Sequence, residues 1–196
     1  MARVERLDVE GLELAIPLPA EARSSVATEV DLGVAPGLSL AEAEAWRWPG
    51  SEAQVTCVVA SAWFWTPGLE GPVLDAASAI TRKTLALPTL HPEAIRPGPP
   101  FEQDYNGADI RGRHWVAFHD EQVVACSLTC RGDAEGCERV RDGATMTSEA
   151  TPEPGPILSA ATTLAAAPRI TGLGFGLVAV AVAAAILWRR PRPEPS

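Results

Sequence analysis

Hydrophobic and polar positions change period several times along this chain, and each change predicts an element. Gly11 to Ile16 (GLELAI) alternates apolar and polar residues and predicts a short strand, ended by Pro17 and Pro19, which cannot donate to a β ladder. Val26 to Val34 alternates loosely and predicts the next strand. Leu38 to Trp48 (LSLAEAEAWRW) carries two periods at once. Ser39 with Glu42 makes a capping box for a helix, whereas Leu40, Trp46 and Trp48 share one face of a strand. The neighbour favours the strand: Trp48 to Ser51 supplies a turn, and Gln54 to Trp65 (QVTCVVASAWFW) is the strongest β segment in the chain, so the two predict a hairpin.

From Gly71 to Ala86 Val73, Leu74, Ala77, Ile80 and Thr84 or Leu85 recur at helical spacing. Asp75 stands in the first turn and Arg82 and Lys83 near the end, as the helix dipole prefers. This predicts one main helix packed on a sheet. Leu87 to Pro100 holds five prolines and reads as a loop. Arg113 to Phe118 and Gln122 to Thr129 alternate around His119, Asp120 and Glu121, predicting a second hairpin. Asp133 to Gly143 predicts a short closing helix with Asp133 as its cap and Val140 facing the core.

After residue 143 the periodicity and the aromatics stop. Residues 144–169, rich in Thr, Pro, Ala and Ser, read as a flexible linker. Ile170 to Trp188 then runs without a charge for 19 residues, and at 1.5 Å per residue a helix of that length covers roughly 28 Å, about the hydrocarbon thickness of a bilayer. It predicts a single C-terminal transmembrane helix, flanked by Arg169 before it and by Arg189, Arg190 and Arg192 in a short basic tail, residues 189–196. The expected organisation is an acidic α+β globular domain over residues 1–143, with an antiparallel sheet, then linker, membrane helix and tail.

Composition adds direction. The net charge is −9, and all but one of the acidic residues precede residue 169, so a nucleic-acid partner is not expected. A single lysine, Lys83, among 16 basic residues, with abundant Ala, Pro and Arg, implies a GC-rich bacterial source and hence the bacterial cytoplasmic membrane. Two arguments conflict over which side the domain occupies. The N-terminal residues lack the apolar core of a secretory signal, which leaves the domain facing the cytoplasm, whereas the Arg-rich tail places the C-terminus there by the positive-inside rule. The missing signal carries more weight, giving a cytoplasm-facing domain.

Four cysteines leave several chemistries open. Cys130 with Cys137 and Cys57 with Cys126 are candidate disulfide pairs in an oxidising compartment; ordinary reduced or buried thiols fit a cytoplasmic domain equally, and three or four sulfurs converging would instead make a zinc or redox module. C-x-x-C is missing, which argues against thiol exchange. His114 and His119 point to opposite faces of one strand, so a single strand cannot present both to a metal or substrate. No nucleophile elbow or phosphate-binding glycine loop is present. No catalytic residue, cofactor or metal ligand is therefore assigned. Arg131, Gly132 and Asp133 spell RGD, which here reads as a turn and cap. Trp46, Trp48, Trp63, Trp65 and Trp115 fill a core or line a groove.

The order of elements, with GLELAIPLP opening the domain, a central hairpin, the helix from Gly71 to Ala86, a GR-x-W strand pair from Gly112 and a final short helix, resembles PsbP-like and DcrB-like α/β sandwich domains of bacterial membrane-associated proteins. The pattern covers residues 10 to 143. The resemblance implies a twisted antiparallel sheet with helices on one face, used for binding or assembly near membranes. The expected function is a membrane-anchored binding or assembly module whose partners are the bilayer and another protein. A membrane-tethered enzyme is the alternative.

Overall fold

The computed structural model describes residues 2–28, 39–62, 65–86 and 90–152. They form two antiparallel sheets and two helices, an α+β fold. Strand β1 (Ala2–Val9) pairs with β2 (Leu12–Pro19). Strands β3 (Arg23–Ser25), β4 (Ser39–Trp48) and β5 (Ser51–Ser61) follow, then helix α1 (Glu70–Thr84). Next come β6 (His91–Pro92), β7 (Phe101–Asn106), β8 (Ile110–His119) and β9 (Gln122–Arg131), helix α2 (Ala134–Gly143) and β10 (Thr145–Met146). The small sheet has the order β1-β2-β10 and the large one β3-β4-β5-β9-β8-β7-β6.

Glu10 and Gly11, both at positive φ, make the two-residue turn between β1 and β2, the geometry that matches strand twist in a tight hairpin. Pro17 does not end β2 as expected but lies inside it, and the strand runs on to Pro19. Glu13 shows why. Its N–H and carbonyl both engage Thr147, on the side of β2 away from β1, and the prolines share its parity. Partner β10 reaches only Leu14 and Ala15, so the missing proline N–H groups face a position with no strand. β3 ends at Ser25, with Val26 91% exposed; residues 29–34 of the strand expected at Val26 to Val34 lie outside the described residues.

β4 and β5 form the expected hairpin around Gly50, with a bulge between Leu40 and Glu42. β8 and β9 form the second one, in unbroken register from Ile110↔Arg131 to His119↔Gln122. The large sheet is covered on both faces. On one face, Val55, Trp46, Trp115 and Leu128 meet Leu14, Ile16 and Leu18 of the small sheet and Val140 of α2 in the larger core. On the other, Val116, Phe118 and Val123 meet Trp65 and Leu74 beneath α1 in a smaller one.

The main helix and the short closing helix are both present, as α1 and α2, and they pack on opposite faces of the large sheet rather than on one. The fold also continues beyond residue 143: Ala144 is fully buried, β10 joins β2, and the compact unit runs to Glu153. The first residues of the expected linker are therefore structural. The rest of that linker, the transmembrane helix 170–188, the tail 189–196 and Arg169, Arg189, Arg190 and Arg192 lie outside the described residues. No helix among the described residues is long and apolar enough to cross a membrane.

Candidate functional site

Helix α1 sits on a sheet face that changes character along its length. Pro72 occupies the first turn, where its missing N–H costs no hydrogen bond, and Arg82 and Lys83 close the last turn. Leu74, Ser78, Thr81 and Leu85 recur four, three and four residues apart and form the stripe that meets the sheet. Beneath the N-terminal half the contact is aromatic: Trp65 packs edge-on against Phe118 at 4.8 Å, with Phe101 adjoining both. Toward the C-terminal half it becomes polar.

That polar layer comes from alternate residues of three strands. Tyr105 of β7 lies opposite Gly112 of β8, whose missing Cβ leaves room for the phenol; a Cβ there would sit 2.1 Å from Tyr105 Cζ. The ring stacks on His114 at 4.4 Å. Its hydroxyl donates to the Leu128 carbonyl at 2.9 Å and lies 2.6 Å from Thr129 Oγ1. Ser127, opposite His114 in the register, meets Thr81 of α1 at 3.1 Å. Burial pushes the Tyr105 hydroxyl up to about 12, against the smaller opposing pull of the Ser127 and Thr129 hydrogen bonds. Burial likewise pushes His114 down to about 3, so the ring is a neutral imidazole.

The layer is not saturated. Both His114 nitrogens, Ser78 Oγ, Gln103 Oε1 and Trp65 Nε1 are buried without a hydrogen-bond partner among the described residues. All lie on the α1 side of the large sheet. Native interiors pair nearly all such groups, so this concentration of spare donors and acceptors is unusual. Beside it, between α1 and strands β5 and β9, opens a cleft of about 70 Å³. Val58, Ile80 and Ala125 supply apolar wall and Thr56, Ser127 and Thr129 a row of hydroxyls, with no charged side chain among its lining residues. A wider polar groove of about 250 Å³ shares Gln54 and Thr129 with it and adds Arg47, Glu52 and Arg131.

Chemically, the cleft can hold an uncharged group by hydroxyl contacts. Ser127 Oγ faces Thr81, not a base, and His114 makes no hydrogen bond to it. The sequence did not single out Tyr105, Gln103 or Thr81. A usable signal existed in β8, where IRGRHWVAFH is buried on nearly every residue, as in a strand covered on both faces.

The other singled-out residues go elsewhere. Cys57 is bonded to Cys126 across β5 and β9, and Cys130 to Cys137 between β9 and α2. No thiol is left among them to bind zinc. Asp133 caps α2 by accepting from the Gly136 N–H at 2.6 Å, and Gly132, at positive φ, donates to the Asp109 carbonyl. The RGD tripeptide is thus a turn and cap. Trp46, Trp65 and Trp115 are buried core; Trp63 is outside the described residues. His114 and His119 point to opposite faces of β8. His119 lies with Asp120 and Glu149 in a cluster whose potential ligand atoms are all within 4.8 Å of one another.

No family model matches the chain, and comparison with curated proteins finds no match.

Proposed function

We propose that this chain is a single-pass, membrane-anchored binding module that receives a small uncharged ligand between α1 and the sheet. The carrying observation is the uncharged, hydroxyl-lined cleft between α1 and strands β5 and β9. A ligand offering hydroxyl or amide groups would hydrogen-bond the Thr56, Ser127 and Thr129 hydroxyls that line it. Binding is favoured over catalysis because the cleft lacks a nucleophile joined to a base, and its nearest imidazole is held neutral and unbonded. The resemblance to PsbP-like and DcrB-like domains points the same way.

The globular domain belongs, on this reading, to the oxidising side of the membrane, with Arg189, Arg190 and Arg192 on the cytoplasmic side. Two disulfides and the positive-inside rule support this orientation over the cytoplasm-facing one expected from the N-terminal residues. A tether of this kind also raises the effective concentration of the domain for a protein partner in the same membrane.

The test is a thermal-shift panel on the full chain in detergent micelles, with uncharged polyols, sugars and amides set against carboxylates and amines. An uncharged class should raise the melting temperature, and Ala125→Phe, which fills the cleft, should abolish that shift. Equal shifts in the variant, or shifts with charged compounds alone, would refute the reading.

A further inference from the structure

We propose that His119, Asp120 and Glu149 form a divalent-cation site at the tip of the β8–β9 hairpin, distinct from the cleft and independent of the function proposed for it. His119 ends β8, Asp120 follows it in the turn, and Glu149 arrives from the segment after β10, 29 residues beyond Asp120.

The argument begins with the imidazole. Its Nδ1 lies 3.1 Å from Glu149 Oε1, and its Nε2 lies 3.7 Å from Asp120 Oδ2. A neutral imidazole carries one N–H, so whichever tautomer is present, the second nitrogen turns a lone pair toward a carboxylate. That contact is repulsive until positive charge enters it. A second proton or a cation satisfies it, and the spacing favours a cation at Nε2. Two donors bound to one ion at about 2.1 Å stand roughly 3 to 3.6 Å apart, close to the Nε2 to Asp120 gap.

Glu149 then has the role that a carboxylate behind a metal-bound histidine usually has. It accepts the Nδ1 hydrogen through Oε1, fixing tautomer and ring plane, while Oε2 accepts the Asp120 N–H at 2.9 Å and so also positions the second ligand. Gly11 of the β1–β2 turn packs against the ring edge; a Cβ there would fall 2.4 Å from Nε2, so any larger residue would displace the imidazole. One nitrogen with carboxylate oxygen suits a borderline ion such as Zn²⁺ more than Mg²⁺, with water completing the shell.

The experiment is titration of the untagged full chain in micelles with ZnCl₂, read by calorimetry and by the ¹⁵N shifts of the histidine ring. Wild type should bind one ion per chain and shift the His119 signal. Asp120→Asn should weaken binding at least tenfold without altering the circular dichroism, since Asp120 is at positive φ, where Asn is well tolerated, and is exposed. Glu149→Gln should weaken it by about tenfold. His91→Gln should leave it unchanged. Zinc that fails to move the His119 signal, or binds Asp120→Asn as well as wild type, would overturn the proposal.

Discussion

His114 offers the sharpest residue-scale expectation. Its imidazole is fully buried, held neutral, and without a partner for either nitrogen among the described residues. Folding lowers its pKa from 6.5 to about 3, so the unfolded chain takes up the proton first as pH falls. The stabilising difference is complete above pH 6.5 and is lost downward through that window, at about 1.4 kcal/mol per pH unit. Urea unfolding at pH 7 and at pH 4.5 should therefore show a loss that His114→Phe largely removes. At pH 7 the variant should differ from wild type by about 1 kcal/mol or less, because the substitution leaves no new polar atom unpaired. A wild-type pH slope unchanged by the substitution would assign the acid sensitivity to other groups. On the opposite face of β8, Arg113 shows the contrary arrangement: it donates to both Asp104 oxygens and to the Ala144 carbonyl at 3.1 Å, so removing Asp104 would take away its closest counter-charge.

Among the elements, α2 depends most visibly on one side chain. Its first turn is satisfied by the Asp133 carboxylate, and Asp133→Ala should cost about 1 kcal/mol in chemical denaturation, whereas Asp133→Asn should retain most of it. An equal loss in both would mean that charge, not capping, is what α2 uses. This cap was legible in the sequence because Asp immediately precedes a helical period. The two hairpins were legible for a similar reason: QVTCVVAS and QVVACSLT alternate cleanly around obvious turns. β1 and β7 were not. In ARVERLDV the solvent face is charged and only Leu7 and Val9 mark the inner one, since β1 is an edge strand. FEQDYN conceals a buried strand because Gln103, Asp104 and Tyr105 are matched by partners on neighbouring segments, among them Arg113 and Arg96. The cleft was illegible too: hydroxyls on β5, β9 and α1 converge only once the strands are in register.

For the whole molecule, two covalent links fall within the larger core. The Cys57–Cys126 link spans 69 residues and the Cys130–Cys137 link spans 7. Loop-closure entropy assigns roughly 4 kcal/mol to the first and roughly 2 kcal/mol to the second. Replacing the first pair by alanine should accordingly lower the urea midpoint more than replacing the second. The same bonds test orientation. All four sulfurs are buried, so cells should be acid-quenched and denatured before a thiol label is applied. Labelling that requires prior reduction is the expected result; full labelling without a reductant would place the domain in the cytoplasm.

The strap formed by residues 145–149 has a mechanical consequence. It is held by two paired residues on β2, by the Thr147 N–H to the Glu13 carbonyl at 2.9 Å, and by the Glu149 N–H to the Phe118 carbonyl at 2.8 Å, each a separate stitch along its length. A load entering from beyond residue 152 meets these stitches one after another, Glu149 first, so the strap peels instead of shearing. Peeling yields at low force and reaches Met146 and then Ala144, the residue on which Arg113 is seated, before the large sheet bears any load. A load applied at the C-terminal end of the described residues would thereby release the strap while the disulfide-linked strands stay paired.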